Sequence, residues 1–290
     1  MELRLKFNLV LLAVFLAGFL VTGYVSHSLL QKNAREAVLH NAGLMMETAL
    51  AIRSYTVNQV KPHLEMQLMR GFLPQTVPAY AATETMNALR TKYPEFAYKE
   101  ATLNPTNPRD RATDWEADLV HKFRNDPGTT QISGERDTPT GRSLYITRPI
   151  QIKDAACLAC HTTPSAAPAT MIKLYGEANG FGWKLNEIIG AQVVSVPMSL
   201  PISDAYHAFY TFMISLFGVF VVIFIVLNVM LSWMIIRPIT KMSHTADQVS
   251  TGKFEIAEFT ETGKDEISVL ASSFNRMHRS LEKAMKMIES

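Results

Sequence analysis

Two long runs of residues without Lys, Arg, Asp or Glu divide the chain. The first extends from Phe7 to Gln31 and the second from Ala208 to Ile236. Each run is long enough to cross a bilayer as an α-helix. A cleaved signal peptide is the alternative for the first run, but its apolar core would be shorter and would end at a small-x-small site. We therefore predict two membrane-spanning helices, of which the first is an uncleaved anchor.

The segment between the two runs has the pattern of a domain built from short elements. All but one of the 14 prolines fall between Pro62 and Pro201, which places many turns here. Periodicity and turn residues predict one long helix, two shorter helices and two strands, at Asn33 to about Lys61, Ala81–Tyr93, Asp114–Arg124, Gly141–Ile150 and Gly190–Val196. Thr113 is the predicted N-cap of the third helix. The fold class is therefore α+β, with an antiparallel sheet covered on one face.

Apolar residues after the second run recur at alternating spacings of three and four, which is typical of a coiled coil. The recurring positions are Ile239, Met242, Ala246, Val249, Ile267, Leu270, Phe274, Met277 and Leu281. Gly252 separates the two groups of positions. The pattern predicts two amphipathic helices joined by a connector.

Charge indicates the orientation and excludes one class of partner. Basic residues flank the outer ends of the two runs, at Arg4, Lys6, Arg237 and Lys241. The positive-inside rule places both of these ends in the cytoplasm and the intervening domain outside. The net charge of +2 is small, and no basic run is interleaved with aromatic residues. A nucleic-acid partner is therefore not expected.

The intervening domain contains both cysteines of the chain, in Cys157-Leu158-Ala159-Cys160-His161. Two thiols at this spacing can form thioethers to one porphyrin, and the following imidazole can then bind the iron. A redox dithiol and a partial zinc site are the alternatives. The motif follows a predicted strand and precedes a loop instead of opening a helix, and zinc would need two more ligands. We predict a covalently attached haem c, with His161 as the proximal ligand of its iron.

The predicted attachment uses both thiols, so the sixth iron ligand must be a methionine sulfur or a histidine nitrogen. Met46 is the first candidate because it lies on the long predicted helix seven residues before Arg53, on nearly the same face. Arg53 would then meet a haem propionate. Met45, His63 and Met171 are the alternatives. Ordinary core packing is the competing role for each methionine.

Further stretches accompany the motif at Cys157 to His161. They are Met45-Met46-Glu47-Thr48-Ala49, Ile52-Arg53-Ser54-Tyr55-Thr56, the stretch from Tyr98-Lys99-Glu100-Ala101 to Asn107-Pro108, Trp115-Glu116-Ala117-Asp118, Asn179-Gly180-Phe181-Gly182-Trp183-Lys184 and Gly190-Ala191-Gln192. Together they resemble the haem-binding PAS-like sensor domain of bacterial membrane signalling proteins, over about Lys32 to Pro201. The resemblance implies a small PAS-like sheet with a long N-terminal helix, in the periplasm of a bacterium.

The cytoplasmic tail resembles a HAMP domain at the two most diagnostic places of that family. These are Arg237-Pro238-Ile239 at the membrane exit and Asp265-Glu266-Ile267 before the second predicted helix of the tail. A generic juxtamembrane coiled coil is the alternative. The HAMP resemblance implies a homodimer, because neither helix pair can bury its apolar seam alone.

The predicted domains are a first transmembrane helix, a periplasmic haem domain, a second transmembrane helix and a HAMP domain, at 7–31, 32–207, 208–236 and 237–290. We expect a sensor of the inner membrane that detects a redox change or a small ligand at the haem. It would signal through HAMP to a cytoplasmic partner in trans, such as a kinase, because no output domain follows in this polypeptide. A membrane-anchored monohaem cytochrome for periplasmic electron transfer is the alternative. No catalytic constellation accompanies His161, so an enzyme is not expected.

Overall fold

A computed structural model describes residues 3–139, 141–259 and 263–289 of the protein. The chain folds into two units. One unit is Ser26–Phe209, and the other combines the residues up to Val25 with those from Tyr210 onward.

The first unit contains most of the secondary structure. Helix α1 (Leu3–Tyr55) begins in the other unit and continues into this one. The further helices are α2 (Glu65–Leu68), α3 (Pro78–Arg90), α4 (Asp114–Asn125), α5 (Leu158–His161) and α6 (Ala169–Tyr175). Its strands are β1 (Ala97–Thr102), β2 (Ile132–Thr138), β3 (Gly141–Gln151) and β4 (Ile188–Pro197). A π-helical turn at Thr56–Val60 and a 3-10 turn at Lys61–Leu64 continue α1. The predicted long helix is therefore confirmed as an α-helix as far as Tyr55, and its winding changes from Thr56 onward.

The strands form one sheet in the order β1-β4-β3-β2, with every neighbouring pair antiparallel. The predicted strands β3 and β4 and the antiparallel pairing are confirmed. Strands β1 and β2 were not predicted, because charged residues such as Glu100 and Arg136 interrupt their apolar pattern.

The sheet is covered on both faces, so the prediction of a single covered face was wrong. On one face, Tyr98 and Val194 pack against buried residues of α1 such as Val38. On the other face, Val193 packs against Val120 and Phe123 of α4. Two helices therefore enclose the sheet, and β4 is buried along nearly its whole length.

Helix α4 begins where its sequence predicts. The carboxylate of Glu116 accepts a hydrogen bond of 2.8 Å from the backbone N–H of Thr113, which is one half of a capping box. Phe123, Leu119 and Val120 lie on its buried face. The cap and the apolar stripe together fix the helix against the sheet.

The second unit pairs the start of α1 with helix α7 (Ser199–Met230) and the π-helical segment Leu231–Ile236. Contacts run in opposite directions along the two chains, from Arg4 with Ser232, through Phe15 with Phe220, to Gly23 with Met213. The helices are therefore antiparallel. Both are long and apolar enough to cross a membrane.

Two further helices, α8 (Arg237–Ser250) and α9 (Glu266–Glu289), follow in this unit. The connector packs on α9, because Asn275 exchanges hydrogen bonds with both backbone groups of Phe259. Residues 260–262 and 290 of the predicted HAMP segment lie outside the described part of the chain.

Candidate cofactor site

The Cys-x-x-Cys-His motif lies in a pair of short helical turns after β3. The side chain of Asp154 accepts a hydrogen bond of 2.8 Å from the N–H of Ala156 and so begins the 3-10 turn that ends at Cys157. Helix α5 follows directly and carries Cys160 and His161. Cys157 is exposed, Cys160 is half-buried, and the two are not joined by a disulfide. Both thiols can therefore be reached from outside.

Burial raises the pKa of the Cys157 and Cys160 thiols above the ordinary value. A catalytic dithiol has the opposite property, because its attacking thiol has a lowered pKa. The sheet beside the motif is also wholly antiparallel. Neither feature is typical of a redox dithiol.

The imidazole of His161 is held in one orientation by its surroundings. Its Nδ1 lies 2.7 Å from the carbonyl oxygen of Gly180 and 3.4 Å from Oγ1 of Thr106. Its ring stacks on the indole of Trp183, with 3.9 Å between centroids and an interplanar angle of 15°. A carbonyl can only accept, so Nδ1 carries the proton and Nε2 keeps its lone pair. Burial also lowers the pKa of His161, which favours the neutral ring.

The loop that supplies the Gly180 carbonyl is itself clamped. Oδ1 of Asn104 accepts from the N–H of Gly180, and Nδ2 of Asn104 donates to the carbonyl of Phe181, each at 3.1 Å. Gly180 has φ +85°, and a Cβ placed there would lie 2.8 Å from Cα of Thr106. Glycine is therefore required at this position both by backbone conformation and by close packing.

Two backbone hydrogen bonds join the motif to the same loop. The N–H of Gly182 donates to the carbonyl of Thr162 at 3.0 Å, and the N–H of Trp183 donates to the carbonyl of His161 at 3.2 Å. Asn104 and Thr106 were not predicted as site residues. The stretch that contains them was predicted to be a turn and formed part of the family resemblance, but neither residue was given a role. In the fold, Thr106 lies beside His161 and Asn104 holds the Gly180 loop.

The indole Nε1 of Trp183 is buried and has no hydrogen-bond partner in the described part of the chain. Buried donors in native proteins nearly always have a partner. The unsatisfied N–H lies on the ring stacked against His161. This position suits a donor to an acidic group of a molecule bound beside the imidazole.

Two cations act electrostatically on the motif. Arg53 interacts with Cys157, and Lys61 interacts with both Cys157 and Cys160. The guanidinium of Arg53 already binds the buried carboxylate of Glu100, at 2.6 Å from its Oε1. Lys61 was not predicted, although its place at the end of the long helix, before Pro62, was visible in the sequence.

Glu100 belongs to a buried polar chain under α1. Its Oε1 accepts a hydrogen bond of 2.8 Å from the hydroxyl of Tyr98, which accepts one of 3.1 Å from Nε2 of Gln192. Burial, followed by the charge of Glu100, raises the pKa of Tyr98. The network connects α1 to β1 and β4 beside the motif.

The predicted sixth ligands lie in different environments. Met46 is fully buried in the apolar cluster between α1 and the sheet, and Met45 packs partly against that cluster. Met171 is buried on α6. His63 is exposed in the 3-10 turn, two residues after Lys61. The surroundings of Met46 are those of a packing residue.

The residues of the motif fit a c-type haem. Two accessible thiols precede a histidine whose Nε2 is available, whose Nδ1–H is bound by a carbonyl, and whose neighbours include unsatisfied Trp183. A carbonyl that binds the second ring nitrogen is the usual support of a metal-binding histidine. Within the described ranges, no three His, Cys, Asp or Glu side chains are grouped as a metal site.

The fold and the site define a chain with two helices that are long and apolar enough to cross a membrane, and with an α+β unit that bears the Cys-x-x-Cys-His motif. The Tll0287-like family model matches residues 31–197, more than half of the chain, and the chain belongs to this family. The HAMP domain model matches residues 230–283. The predicted domain order, a haem-protein domain followed by a HAMP domain, is thereby confirmed. This combination is typical of membrane signalling sensors.

One solved structure is described as the crystal structure of the cyanobacterial heme-protein Tll0287. It is 16% identical to this chain, with a TM-score of 0.43, and the match covers 55% of this chain and 94% of that one. Among curated proteins, no sequence matches this chain.

Proposed function

We propose that the protein is a transmembrane haem sensor. A haem c is attached through thioethers to Cys157 and Cys160, and His161 is the proximal ligand of its iron. The haem supplies an iron centre that can change its redox state or bind a small ligand. The function of the rest of the chain is to convert that change into a conformational signal at the HAMP domain.

The observation that carries this proposal is the environment of His161. A hydrogen bond to the Gly180 carbonyl fixes the tautomer that leaves Nε2 free for a metal, and stacking on Trp183 fixes the plane of the ring. A histidine that served only packing would not need this support. The two thiols on the same short helical segment complete the attachment site.

Three polar groups beside the motif are suited to the acidic side chains of a haem. Arg53 and Lys61 are cations that interact with the thiols, and the Trp183 N–H lacks a partner. We infer that Lys61 and Trp183 bind the propionates, while Arg53 remains shared with Glu100. Arg53 therefore connects the haem site to the buried network under α1.

For the sixth iron ligand we propose His63 ahead of Met46, Met45 and Met171. His63 is exposed and follows Lys61, which interacts with both thiols, whereas Met46 is enclosed by apolar side chains. Replacing His63 by Ala should convert a six-coordinate low-spin spectrum to a form that binds CO. If Met46→Ala does so and His63→Ala does not, the assignment returns to Met46.

We infer that the outer unit is periplasmic and PAS-like, and that both ends of the chain lie in the cytoplasm of a bacterium. The antiparallel packing of α1 and α7 places Arg4 near Ser232, so the basic flanks of both helices are at the same end. The four-stranded antiparallel sheet under a long N-terminal helix supports the PAS-like assignment.

The HAMP helices are proposed to form a parallel homodimer. Leu270, Met277 and Leu281 of the predicted seam remain 49%, 47% and 44% exposed in the single chain. The contacts of α9 within its own chain instead use Ala271, Asn275 and His278, which are buried. An apolar stripe at heptad spacing thus remains available to a second copy, and the dimer would present its signal to a kinase or similar partner.

The experiment that tests this function compares haem state with HAMP packing. Full-length protein with Leu281→Cys, in membranes, is cross-linked after preparation in oxidised, reduced and CO-exposed forms. A sensor should change its cross-linking rate by several-fold between at least two of these states, and Cys157→Ala/Cys160→Ala should abolish the change. Equal rates in all states would favour the periplasmic electron carrier.

A further inference from the structure

A cavity lies in the unit Ser26–Phe209, and its lining does not include the haem motif. It has a volume of about 520 Å³ and opens between the end of α3, the start of α4 and the sheet. Its sheet wall includes Lys99 and Val193, which lie on the α4 face. Tyr98 also lines the cavity, although its side chain belongs to the cluster packed toward α1. None of its lining residues belongs to the motif or to the loop at Gly180. The volume is within the range of small-molecule sites.

The charges of this cavity are unbalanced. Its lining contains four basic residues and two carboxylates, namely Arg90, Lys99, Arg109, Arg136, Asp110 and Glu116. Lys99 already binds Glu116 at 2.7 Å. Arg109 binds Glu84, which lies outside the lining, and approaches Asp110 at 3.7 Å. Both carboxylates are thereby paired with cations.

Two guanidinium groups of the lining, those of Arg136 and Arg90, are not used in these ion pairs. Arg136 lies over the indole of Trp115, with 4.0 Å to the ring centroid, and that contact leaves the N–H edge of the guanidinium available. Arg90 is exposed at the end of α3. Neither forms an ion pair with any residue that the structure describes. A guanidinium is the side chain best suited to bind a carboxylate through two parallel hydrogen bonds.

We propose that this cavity binds a small organic dianion of the dicarboxylate class, through Arg90 and Arg136. Two negative charges match the two unpaired guanidiniums, and the hydroxyl of Ser195 and the amide of Asn87 also line the cavity as donors. Val193 and Trp115 supply apolar surface in the same lining, against which the carbon body of the ligand would pack. The outer unit would then respond to a dissolved metabolite as well as to its haem.

The experiment is isothermal titration of the full-length, haem-loaded protein in detergent, with succinate and isophthalate as the probes. At least one of the two dicarboxylates should bind saturably. The neutral diamide of that same dicarboxylate should not bind. Arg136→Gln and Arg90→Gln should each weaken binding by at least tenfold. The matched control is Arg70→Gln, an exposed arginine outside the cavity, which should bind like the wild type.

Arg90 is exposed and forms no ion pair or side-chain hydrogen bond among the residues that the structure describes, so its variant keeps the test decisive if Arg136→Gln folds poorly. Retention of the wild-type circular dichroism and haem absorption verifies each variant. The proposal is overturned if neither dianion binds saturably, if the diamide binds as tightly, or if all three variants bind alike. None of these results depends on the sensor function.

Discussion

Replacing Gly180 by Ala tests whether the loop around this residue positions His161. A Cβ at this position would lie 2.8 Å from Cα of Thr106, which is backbone and cannot rotate away. The residue also has φ +85°. The matched control is Gly182→Ala, because Gly182 has φ +80° in the same loop but nothing within 4 Å of an added Cβ. The pair of variants separates steric conflict from backbone strain.

The left-handed conformation should cost each alanine about 1–2 kcal/mol. Overpacking against Thr106 should add about 1–3 kcal/mol at Gly180 alone. For a domain of this size the added free energy corresponds to a Tm that is lower by about 2–12 °C in Gly180→Ala than in Gly182→Ala. Thermal unfolding of the two purified variants, followed by circular dichroism, measures this difference.

A spectroscopic measurement on the same variants addresses the imidazole directly. Displacement of the Gly180 carbonyl would weaken its hydrogen bond to Nδ1 of His161, which makes the ring a poorer donor to iron. The reduction potential should therefore rise in Gly180→Ala and stay near the wild-type value in Gly182→Ala. Equal Tm values and equal potentials in the two variants would refute the reasoning.

Three other comparisons have defined outcomes. Burial raises the pKa of the Asp110 carboxyl group from 3.8 to about 6. The folded state therefore binds the carboxyl proton more tightly than the unfolded state, and the free energy of unfolding falls as pH rises from about 4 to about 6. Asp110→Asn should therefore raise the free energy of unfolding at pH 7 by about 2–3 kcal/mol and should leave it unchanged near pH 3. An equal gain at both pH values would contradict the raised pKa of Asp110. Glu100→Gln leaves the buried guanidinium of Arg53 unpaired and should lower the free energy of unfolding by about 3–5 kcal/mol in denaturant titrations. Glu47→Gln removes a more exposed ion pair and should lower it by less than about 1 kcal/mol. Similar losses in the two variants would disprove the role of the buried network. In a background without the native cysteines, Leu281→Cys should cross-link efficiently and Arg279→Cys poorly, and equal yields would argue against an ordered seam.

The elements that could be predicted from sequence are those whose signal is local. The apolar run of α1, the N-cap at Thr113 and the alternation along β3 each lie within a few residues of the structure that they determine. The motif at Cys157 to His161 is equally local. A haem-attachment role could therefore be proposed for it before any fold was known.

The features that sequence did not reveal depend on contacts between distant segments. Strand β1 carries Glu100, a residue that periodicity assigns to solvent, and it is buried because Arg53 of α1 pairs with it. The support of His161 comes from Asn104, which is separated in sequence from the Gly180 loop that it holds. No pattern within either segment indicates that they meet.

Covalent attachment of haem at the motif is the central claim, and the intact mass of the purified chain tests it most directly. After expression in a bacterium with c-type cytochrome maturation, the denatured protein should have the mass of the chain plus one haem. Cys157→Ala/Cys160→Ala should have the mass of its chain alone. A denatured wild-type protein without the added mass of haem, from a host that matures other c-type cytochromes, would contradict the account.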